Sequence, residues 1–147
     1  MTLPTLRVQA LRENAALPAY GSNYAAGADF CACIGESWII QPGETRLVPT
    51  GLAVEIPAGY AGLIYARSGL ASKRGLAPAN KVGVVDADYR GEVMVALHNH
   101  SGMAQEVAPG ERIAQFVVTP FLQVHYEWAE TLEDTVRGTG GFGSTGR

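Results

Sequence analysis

The sequence predicts an all-β protein, a jelly roll or distorted β-barrel, with a short helix near residues 68–74 and a glycine-rich C-terminal arm. Two observations predict this class. Apolar residues recur in alternation or in short runs between turn residues. Eighteen glycines and eight prolines are scattered among these runs, as in proteins built from strands and tight turns. At 147 residues, the chain is long enough for one domain with its own core.

The predicted strands follow one another along the chain. Leu6, Val8 and Ala10 alternate with other residues near the start, which is the spacing of a half-buried strand. β-branched and aromatic residues then dominate the segments 38–40, 45–68, 82–89, 92–99, 112–121 and 122–128.

Turn chemistry separates these strands. The sequence Pro-Gly-Glu occurs at 42–44 and again at 109–111, and each copy is followed within two residues by an arginine and then by an apolar strand. Proline before glycine predicts a type II turn at both places. The best helical window runs from Ser68 to Arg74 and is short.

The chain changes character after Trp128, where the strand pattern stops. An acidic, polar connector follows, and the sequence then ends in a basic, glycine-rich stretch. We therefore predict a β-barrel catalytic core over residues 1–128 and a flexible arm of the same domain over residues 129–147.

Charge and composition exclude several functions. A net charge of −3 argues against a general nucleic-acid binder, which needs a basic surface. No apolar run is long enough to cross a membrane, and the charged N-terminal residues do not suit a signal peptide. The two cysteines, Cys31 and Cys33, are expected to be reduced, which favours a cytoplasmic location.

The segment Ala66–Ala71 offers one candidate anion site. Arg67 carries a fork of donors that suits phosphate oxygens, Ser68 adds a hydroxyl, and Gly69 lets a ligand approach the backbone. A short helix beside a surface arginine explains the same residues equally well, so both interpretations stay open here.

Acidic residues offer candidates for acid–base chemistry. Asp86 directly follows an apolar run, and a carboxylate with a fixed backbone beside a pocket suits a general base. Taken alone, however, an acid in a hairpin is more often a turn residue, and this applies still more to Asp88. Asp29 by itself favours a cap or a turn.

Three polar residues on predicted strands remain ambiguous. Gln115 interrupts an apolar strand, so its side chain faces either solvent or a ligand. His98 and His100 share a strand face, which would permit a metal, but no third ligand has a suitable spacing. Ordinary strand-end residues explain this pair better.

The C-terminal stretch resembles a phosphate-binding loop only in part. Gly138 and Gly143 have the spacing of the two glycines of the nucleotide-binding P-loop, but the lysine of that motif is missing. Accessible backbone N–H groups, hydroxyls and Arg137 still suit a polyphosphate. Phe142 has no local core to join, and its ring could stack on a base.

Five segments together resemble the trimeric deoxyuridine triphosphatases (dUTPases) of the bacterial type. They occur in the family's order and with similar spacing across nearly the whole chain: AGADF (26–30), ARSGLA (66–71), GVVDADYRGEV (83–93), GERIAQF (110–116) and RGTGGFGST (137–145). The resemblance implies a jelly-roll subunit, a homotrimer with active sites shared between subunits, and Mg²⁺-dependent hydrolysis of dUTP to dUMP and pyrophosphate. This reaction keeps uracil out of DNA and supplies dUMP for thymidylate synthesis. Neither nucleic acid nor a membrane is an expected partner.

The same resemblance implies roles for individual residues. Asp86 would activate the water that attacks the α-phosphorus, and Asp29 would join the Mg²⁺ network through water, with the metal held mainly by the triphosphate. Tyr89 would pack on the deoxyribose and leave no room for a 2′-hydroxyl. The phosphates would be held by Arg67, Ser68, Gly69 and Gln115. The uracil would be recognised by Asn80 and the backbone of Val84, Val85 and Met94. The arm would close over the substrate with Arg137, Phe142, Gly143, Ser144 and Thr145.

Two other functions compete with this hypothesis. The related dCTP deaminases need a glutamate in the base pocket, but the pocket segment has no Glu before Glu92, and the full arm is present. A non-catalytic nucleotide sensor would keep the fold but has no need of Asp86, Tyr89 and the arm.

Overall fold

Across residues 3–146, which the computed structural model describes, the chain forms twelve strands and one helix. The strands are β1 (Arg7–Ala10), β2 (Ala19–Tyr20), β3 (Ala28–Cys31), β4 (Trp38–Ile40), β5 (Thr45–Pro49), β6 (Leu52–Glu55), β7 (Tyr60–Tyr65), β8 (Leu76–Pro78), β9 (Gly83–Val85), β10 (Met94–Asn99), β11 (Gln105–Val107) and β12 (Arg112–Pro120). The helix, α1, spans Ser68–Arg74. The all-β class and the short helix are therefore confirmed.

All strand pairs are antiparallel, as in a jelly roll. The largest sheet has the order β2-β3-β12-β7-β9, and a second sheet has the order β5-β10-β8. Two further pairs, β1-β6 and β4-β11, complete the strand pairing. The buried side chains form one apolar cluster, in which the rings of Phe30 and Phe116 lie 4.8 Å apart. This core anchors β3, β9 and β12, which carry the candidate residues Asp29, Val84, Val85 and Gln115.

Both Pro-Gly-Glu sequences form the predicted turn. Gly43 and Gly110 have φ values of 77° and 76°, a conformation that glycine adopts without strain. In each turn the glutamate carboxylate also accepts the backbone N–H three residues earlier, at 2.7 Å for Glu44 and 2.9 Å for Glu111. Because β4 pairs with β11, the same turn design serves two neighbouring strands.

Helix α1 ends where the sequence predicts. Gly75 has φ 66°, and its N–H donates to the carbonyl of Ala71 at 3.1 Å. Arg74, in the last turn, forms an ion pair with Glu111 and therefore ties the helix to the β11–β12 turn.

The C-terminal segment differs from the prediction in one respect. Residues 122–128 form no strand within the described chain, and their side chains are exposed, with Trp128 fully so. Their apolar alternation suits a strand, but a strand also needs a partner for its backbone groups, and the single chain supplies none there. The division at residue 128 stays a prediction, and residues 1, 2 and 147 of the two predicted ranges lie outside the described residues.

In the part of the chain that the structure describes, no helix has the length and apolar character needed to cross a bilayer.

Candidate active site

A cavity of about 240 Å³ lies beside β9, at the turn that leads to β10. It brings together six residues that the sequence analysis singled out. These are Asn80, Val84, Val85, Asp86, Tyr89 and Met94. The residues to which the sequence analysis assigned uracil recognition therefore line one cleft in the single chain.

The backbone of β9 is available to a ligand. β9 is the edge strand of the five-stranded sheet and pairs on one side with β7. An edge strand leaves alternate N–H and C=O groups without a ladder partner, and these can recognise the donor and acceptor pattern of a planar base. At Gly83, a Cβ would lie 3.2 Å from the Asn80 amide nitrogen and 3.3 Å from Ile64, so a side chain here would crowd two residues that line the cleft.

Tyr89 forms one wall of this cleft. Its hydroxyl donates to the carbonyl of Glu92 at 2.9 Å, and its backbone N–H donates to the carbonyl of Asp86 at 3.2 Å. A Cβ at Gly91 would lie 2.5 Å from the Tyr89 hydroxyl, closer than real atoms approach. Glycine at position 91 is therefore needed for this position of the ring.

Asp86 lies at the mouth of the cleft. It directly follows Val85, which is buried, so the backbone of Asp86 is anchored to the core, while its own side chain is exposed. This arrangement leaves the carboxylate free to accept a proton from water, which is what a general base requires.

A second group of candidate residues lies where β3, β7 and β12 meet. Arg67 donates to Asp29 through Nε at 2.8 Å, and Arg112 lies 3.5 Å from the other oxygen of the same carboxylate. Gln115 is opposite Asp29 in the sheet and donates through Nε2 to the carbonyl of Ala66 at 2.8 Å. This half-buried side chain thus fixes the backbone next to Arg67.

Positive charge dominates the surface next to this group. Arg67, Lys73, Arg74 and Arg112 line a cavity of about 380 Å³ together with Glu111 and the first turn of α1. Ser68 and Gly69 are exposed there, and a Cβ at Gly69 would meet nothing within 4 Å. A polyphosphate could therefore approach the backbone closely.

Arg112 was not identified from the sequence. A charged residue at the start of a strand usually points to solvent, so its type and position carry no distinctive signal. The pairing of β12 with β3, which brings it next to Asp29, is visible only in the folded chain.

The two groups of candidate residues are far apart within one chain. Val85 pairs with Gly62, so Asp86 adjoins Ala61, at the start of β7. Arg67 follows the other end of β7, and its own backbone is extended. At about 3.3 Å per residue, the stretch from Ala61 to Arg67 spans about 20 Å. Asp86 and Arg67 of one chain therefore cannot contact the same phosphorus.

The arm residues lie apart from both groups. The hydrogen bonds recorded in the arm are local, such as that from Arg137 Nε to the carbonyl of Gly140 at 2.7 Å and that from Ser144 N–H to Gly141 at 3.0 Å. Phe142 is fully exposed and has φ 50°. Ser144 and Thr145 are also exposed, so the side chains of the arm are accessible to a ligand.

The histidine and cysteine pairs form no metal centre of their own. Within residues 3–146, no three His, Cys, Asp or Glu side chains lie close enough together to hold a metal ion. The rings of His98 and His100 lie 4.5 Å apart, and His98 Nδ1 bonds to the Thr45 hydroxyl at 2.7 Å. Both cysteines are free, and burial raises the pKa of the Cys31 thiol, which disfavours its reactive thiolate.

Comparisons with known proteins agree with these features. The dUTPase family model matches residues 13–146. A deoxyuridine 5'-triphosphate nucleotidohydrolase of Thiobacillus denitrificans is 49% identical over 132 residues, which cover 89% of this chain and 90% of that protein. One of Maricaulis maris is also 49% identical, over 91% of this chain and 90% of that protein.

Solved structures show the same relationship. A mutant of the Staphylococcus bacteriophage 80alpha dUTPase, solved with dUpNHpp, superposes with a TM-score of 0.89 at 29% identity, covering 99% of this chain and 100% of that one. A mutant dUTPase of phage phi11, described as coordinating a structural Mg(II) ion, gives a TM-score of 0.77 at 27% identity over 89% of this chain and 100% of that one. The family match, the curated relatives and the shared fold together establish that this chain belongs to the dUTPase family.

Proposed function

We propose that this chain is a dUTP diphosphatase that hydrolyses dUTP to dUMP and pyrophosphate. The observation that carries the proposal is the cleft beside β9, which combines a backbone edge suited to a planar base with an exposed carboxylate on an anchored backbone. Membership of the dUTPase family supports the same reaction.

Asp86 is the proposed general base. Its carboxylate takes a proton from a water molecule as the water oxygen bonds to the α-phosphorus. The bond from the α-phosphorus to the bridging oxygen then breaks, and pyrophosphate leaves with that oxygen. Most of the catalysis comes from positioning and charge neutralisation, because phosphoryl transfer needs little other chemistry from the protein.

The cationic group at the start of α1 is the proposed phosphate site. Arg67 and Gln115 would hold phosphate oxygens, with Ser68 and the backbone of Gly69 completing the contacts. The ion pair between Asp29 and Arg67 positions the guanidinium, which suits bidentate binding of phosphate.

Mg²⁺ is the proposed cofactor. Both oxygens of Asp29 face arginines, so this residue is better suited to a water-mediated role than to direct coordination. The triphosphate itself offers the oxygen ligands that Mg²⁺ prefers, and the bound ion supplies charge neutralisation of the phosphates.

Substrate selection is proposed to take place in the cleft. Asn80 and the backbone of Val84, Val85 and Met94 would bind the polar edge of uracil. A cleft that fits uracil closely would clash with the 5-methyl group of thymine, and a steric clash of this kind rejects a competitor strongly. The Tyr89 ring would exclude a 2′-hydroxyl, and therefore UTP.

A homotrimer with shared active sites is the proposed assembly. The distance of about 20 Å between Asp86 and Arg67 in one chain supports sharing, because a site that uses both must take them from different copies. The exposed arm, with Arg137, Phe142, Gly143, Ser144 and Thr145, would close over a neighbouring site. We also propose a cytoplasmic location, supported by the two free thiols.

A substrate panel tests this function. The chain is incubated with dUTP, dCTP, dTTP or UTP in the presence of Mg²⁺, and the products are separated and identified. We expect dUMP and pyrophosphate from dUTP, with the other three nucleotides nearly unchanged. Release of ammonia from dCTP would contradict the proposal, as would equal hydrolysis of all four.

A further inference from the structure

The Glu92 carboxylate joins three segments that are distant in sequence. It accepts two hydrogen bonds from Arg12, through Nε at 2.7 Å and Nη2 at 2.9 Å, and one from the backbone N–H of Gly51 at 2.9 Å. Gly51 in turn accepts the backbone N–H of Leu11 at 2.7 Å. The N-terminal segment, the β5–β6 turn and the end of the turn after β9 are thus closed into one ring of hydrogen bonds.

This ring lies directly next to the cleft. Glu92 lines the cleft, and its carbonyl accepts the Tyr89 hydroxyl at 2.9 Å. The following residue, Val93, is held separately by backbone bonds with Thr50 and Leu52. The Glu92 side chain therefore anchors the cleft turn from outside, at the residue that fixes the Tyr89 ring.

The ion pair is more sheltered than its counterpart on β1. The side chains of Arg12 and Glu92 are 49% and 18% exposed, against 79% and 37% for Arg7 and Glu55. The two parallel N–H···O bonds from Arg12 also fix the orientation of the Glu92 carboxylate, whereas a single contact between mobile side chains does not. Arg7 is therefore a matched control for the loss of an arginine from the same end of the chain.

We propose that Arg12 and Glu92 are positioning residues that hold the Tyr89 wall of the cleft and so set discrimination between 2′-deoxyribose and ribose. This inference rests on the proposed function, because it assigns the sugar to the Tyr89 wall. Neither residue touches the reacting atoms. If the hydrogen bonds around Glu92 are lost, the Tyr89 side chain packs less closely on the sugar and leaves space for a 2′-hydroxyl. Asp86 keeps its anchor on Val85.

Substitution of Arg12 tests the proposal through a ratio of rates. We expect Arg12→Met to raise KM for dUTP by about threefold to tenfold with kcat within about twofold, since the lost contact acts on binding. The ratio of kcat/KM for dUTP to that for UTP should fall by a similar factor. Arg7→Met should leave KM, kcat and the ratio unchanged. A ratio in Arg12→Met equal to that of Arg7→Met would overturn the proposal, even if both proteins were less stable.

A conservative variant and a measurement without turnover complete the test. Arg12→Lys keeps the charge but not the paired bonds, so its ratio should lie between those of wild type and Arg12→Met. Hydrogen exchange of the amides of residues 86–93 should be faster in Arg12→Met than in Arg7→Met. Unchanged exchange there would overturn the proposal whether or not the chain hydrolyses dUTP. Absence of dUTP hydrolysis by the wild type, with faster exchange in Arg12→Met, would instead reject the proposed function alone.

Discussion

Asp86, which follows β9, lies beside the start of β7, and Arg67 follows the end of β7, so the two residues are about 20 Å apart along the strand direction. The register of β9 against β7 fixes this relationship, because Val85 is opposite Gly62. Hydrolysis of a triphosphate needs both a base near the attacked phosphorus and cations on the phosphate oxygens. A site built with both residues therefore combines at least two copies of the chain.

Mixing two inactive variants tests whether each active site takes Asp86 and Arg67 from different copies of the chain. Asp86→Asn and Arg67→Met should each lose at least about 100-fold in kcat/KM when assembled alone. In trimers re-formed from equal amounts, about a quarter of the sites would combine an intact Asp86 with an intact Arg67 from different chains. Activity near this fraction of wild type is the expected result. No recovery, after mass spectrometry has verified mixed trimers, would contradict shared sites.

Gly91→Ala should change which sugar is accepted. The added Cβ would lie 2.5 Å from the Tyr89 hydroxyl, so the ring must move away from its hydrogen bond to Glu92. We expect poorer packing on deoxyribose and a fall of about tenfold in the preference for dUTP over UTP, measured as the ratio of kcat/KM values.

Gly102→Ala is the matched control, because a Cβ there meets nothing within 4 Å. It should leave the preference unchanged. If Gly91→Ala retained the full preference for dUTP over UTP, Tyr89 would not be the residue that packs against the deoxyribose.

Removal of the residues after Val136 should separate folding from catalysis. Residues 137–146 are almost entirely exposed and bond mainly to one another, so circular dichroism and the melting temperature should hardly change. kcat/KM for dUTP should fall by at least about 100-fold if, as we propose, the arm closes over the substrate.

Phe142→Ala should have a smaller effect in the same direction. Stacking of an aromatic ring on a base contributes about 1–3 kcal/mol, which corresponds to a loss of roughly fivefold to 150-fold in binding. Normal turnover by the truncated chain would show that the arm is dispensable.

Glu92 should make stability depend on acid pH. The hydrogen bonds from Arg12, aided by the Gly51 N–H, hold the pKa of the Glu92 carboxyl below its usual range. A lowered pKa stabilises the fold at pH values above the unfolded pKa of about 4.3, and this stabilisation is lost as the pH falls through the folded pKa.

The difference in free energy of unfolding between wild type and Glu92→Gln should therefore be largest near neutral pH, at about 1 kcal/mol or less, and shrink towards about pH 3. Urea titrations at fixed protein concentration measure it. A difference that stays constant between these pH values would exclude the charged pair as its cause.

Local chemistry explains which parts of the fold could be predicted from the sequence. Helix Ser68–Arg74 and the turns at Gly43 and Gly110 are specified within a few residues, by a terminal glycine or by Pro-Gly. Residues 122–128 carry a strand pattern without a partner in their own chain, so periodicity alone gave a wrong prediction there.

The candidate site also contains residues that could be predicted from the sequence and residues that could not. The sequence singled out Asp86, Tyr89 and Arg67 through family segments, and the folded chain places the first two at one cleft. Two further contacts could not be predicted because they join residues that are distant in the sequence. Arg112 contacts Asp29 across a separation of 83 residues, and Arg12 contacts Glu92 across a separation of 80 residues. The first contact follows from the register of β12 against β3, and the second joins two loops that the fold brings together, so spacing along the sequence reveals neither.

Hydrolysis of dUTP in water enriched in the heavy oxygen isotope tests the central claim most directly. If a water activated by Asp86 attacks the α-phosphorus, the label should appear in dUMP and not in pyrophosphate, as read by phosphorus NMR and mass spectrometry. Asp86→Asn should bind dUTP yet incorporate label at least about 100-fold more slowly. Label in pyrophosphate, or formation of dUDP and inorganic phosphate, would contradict the account.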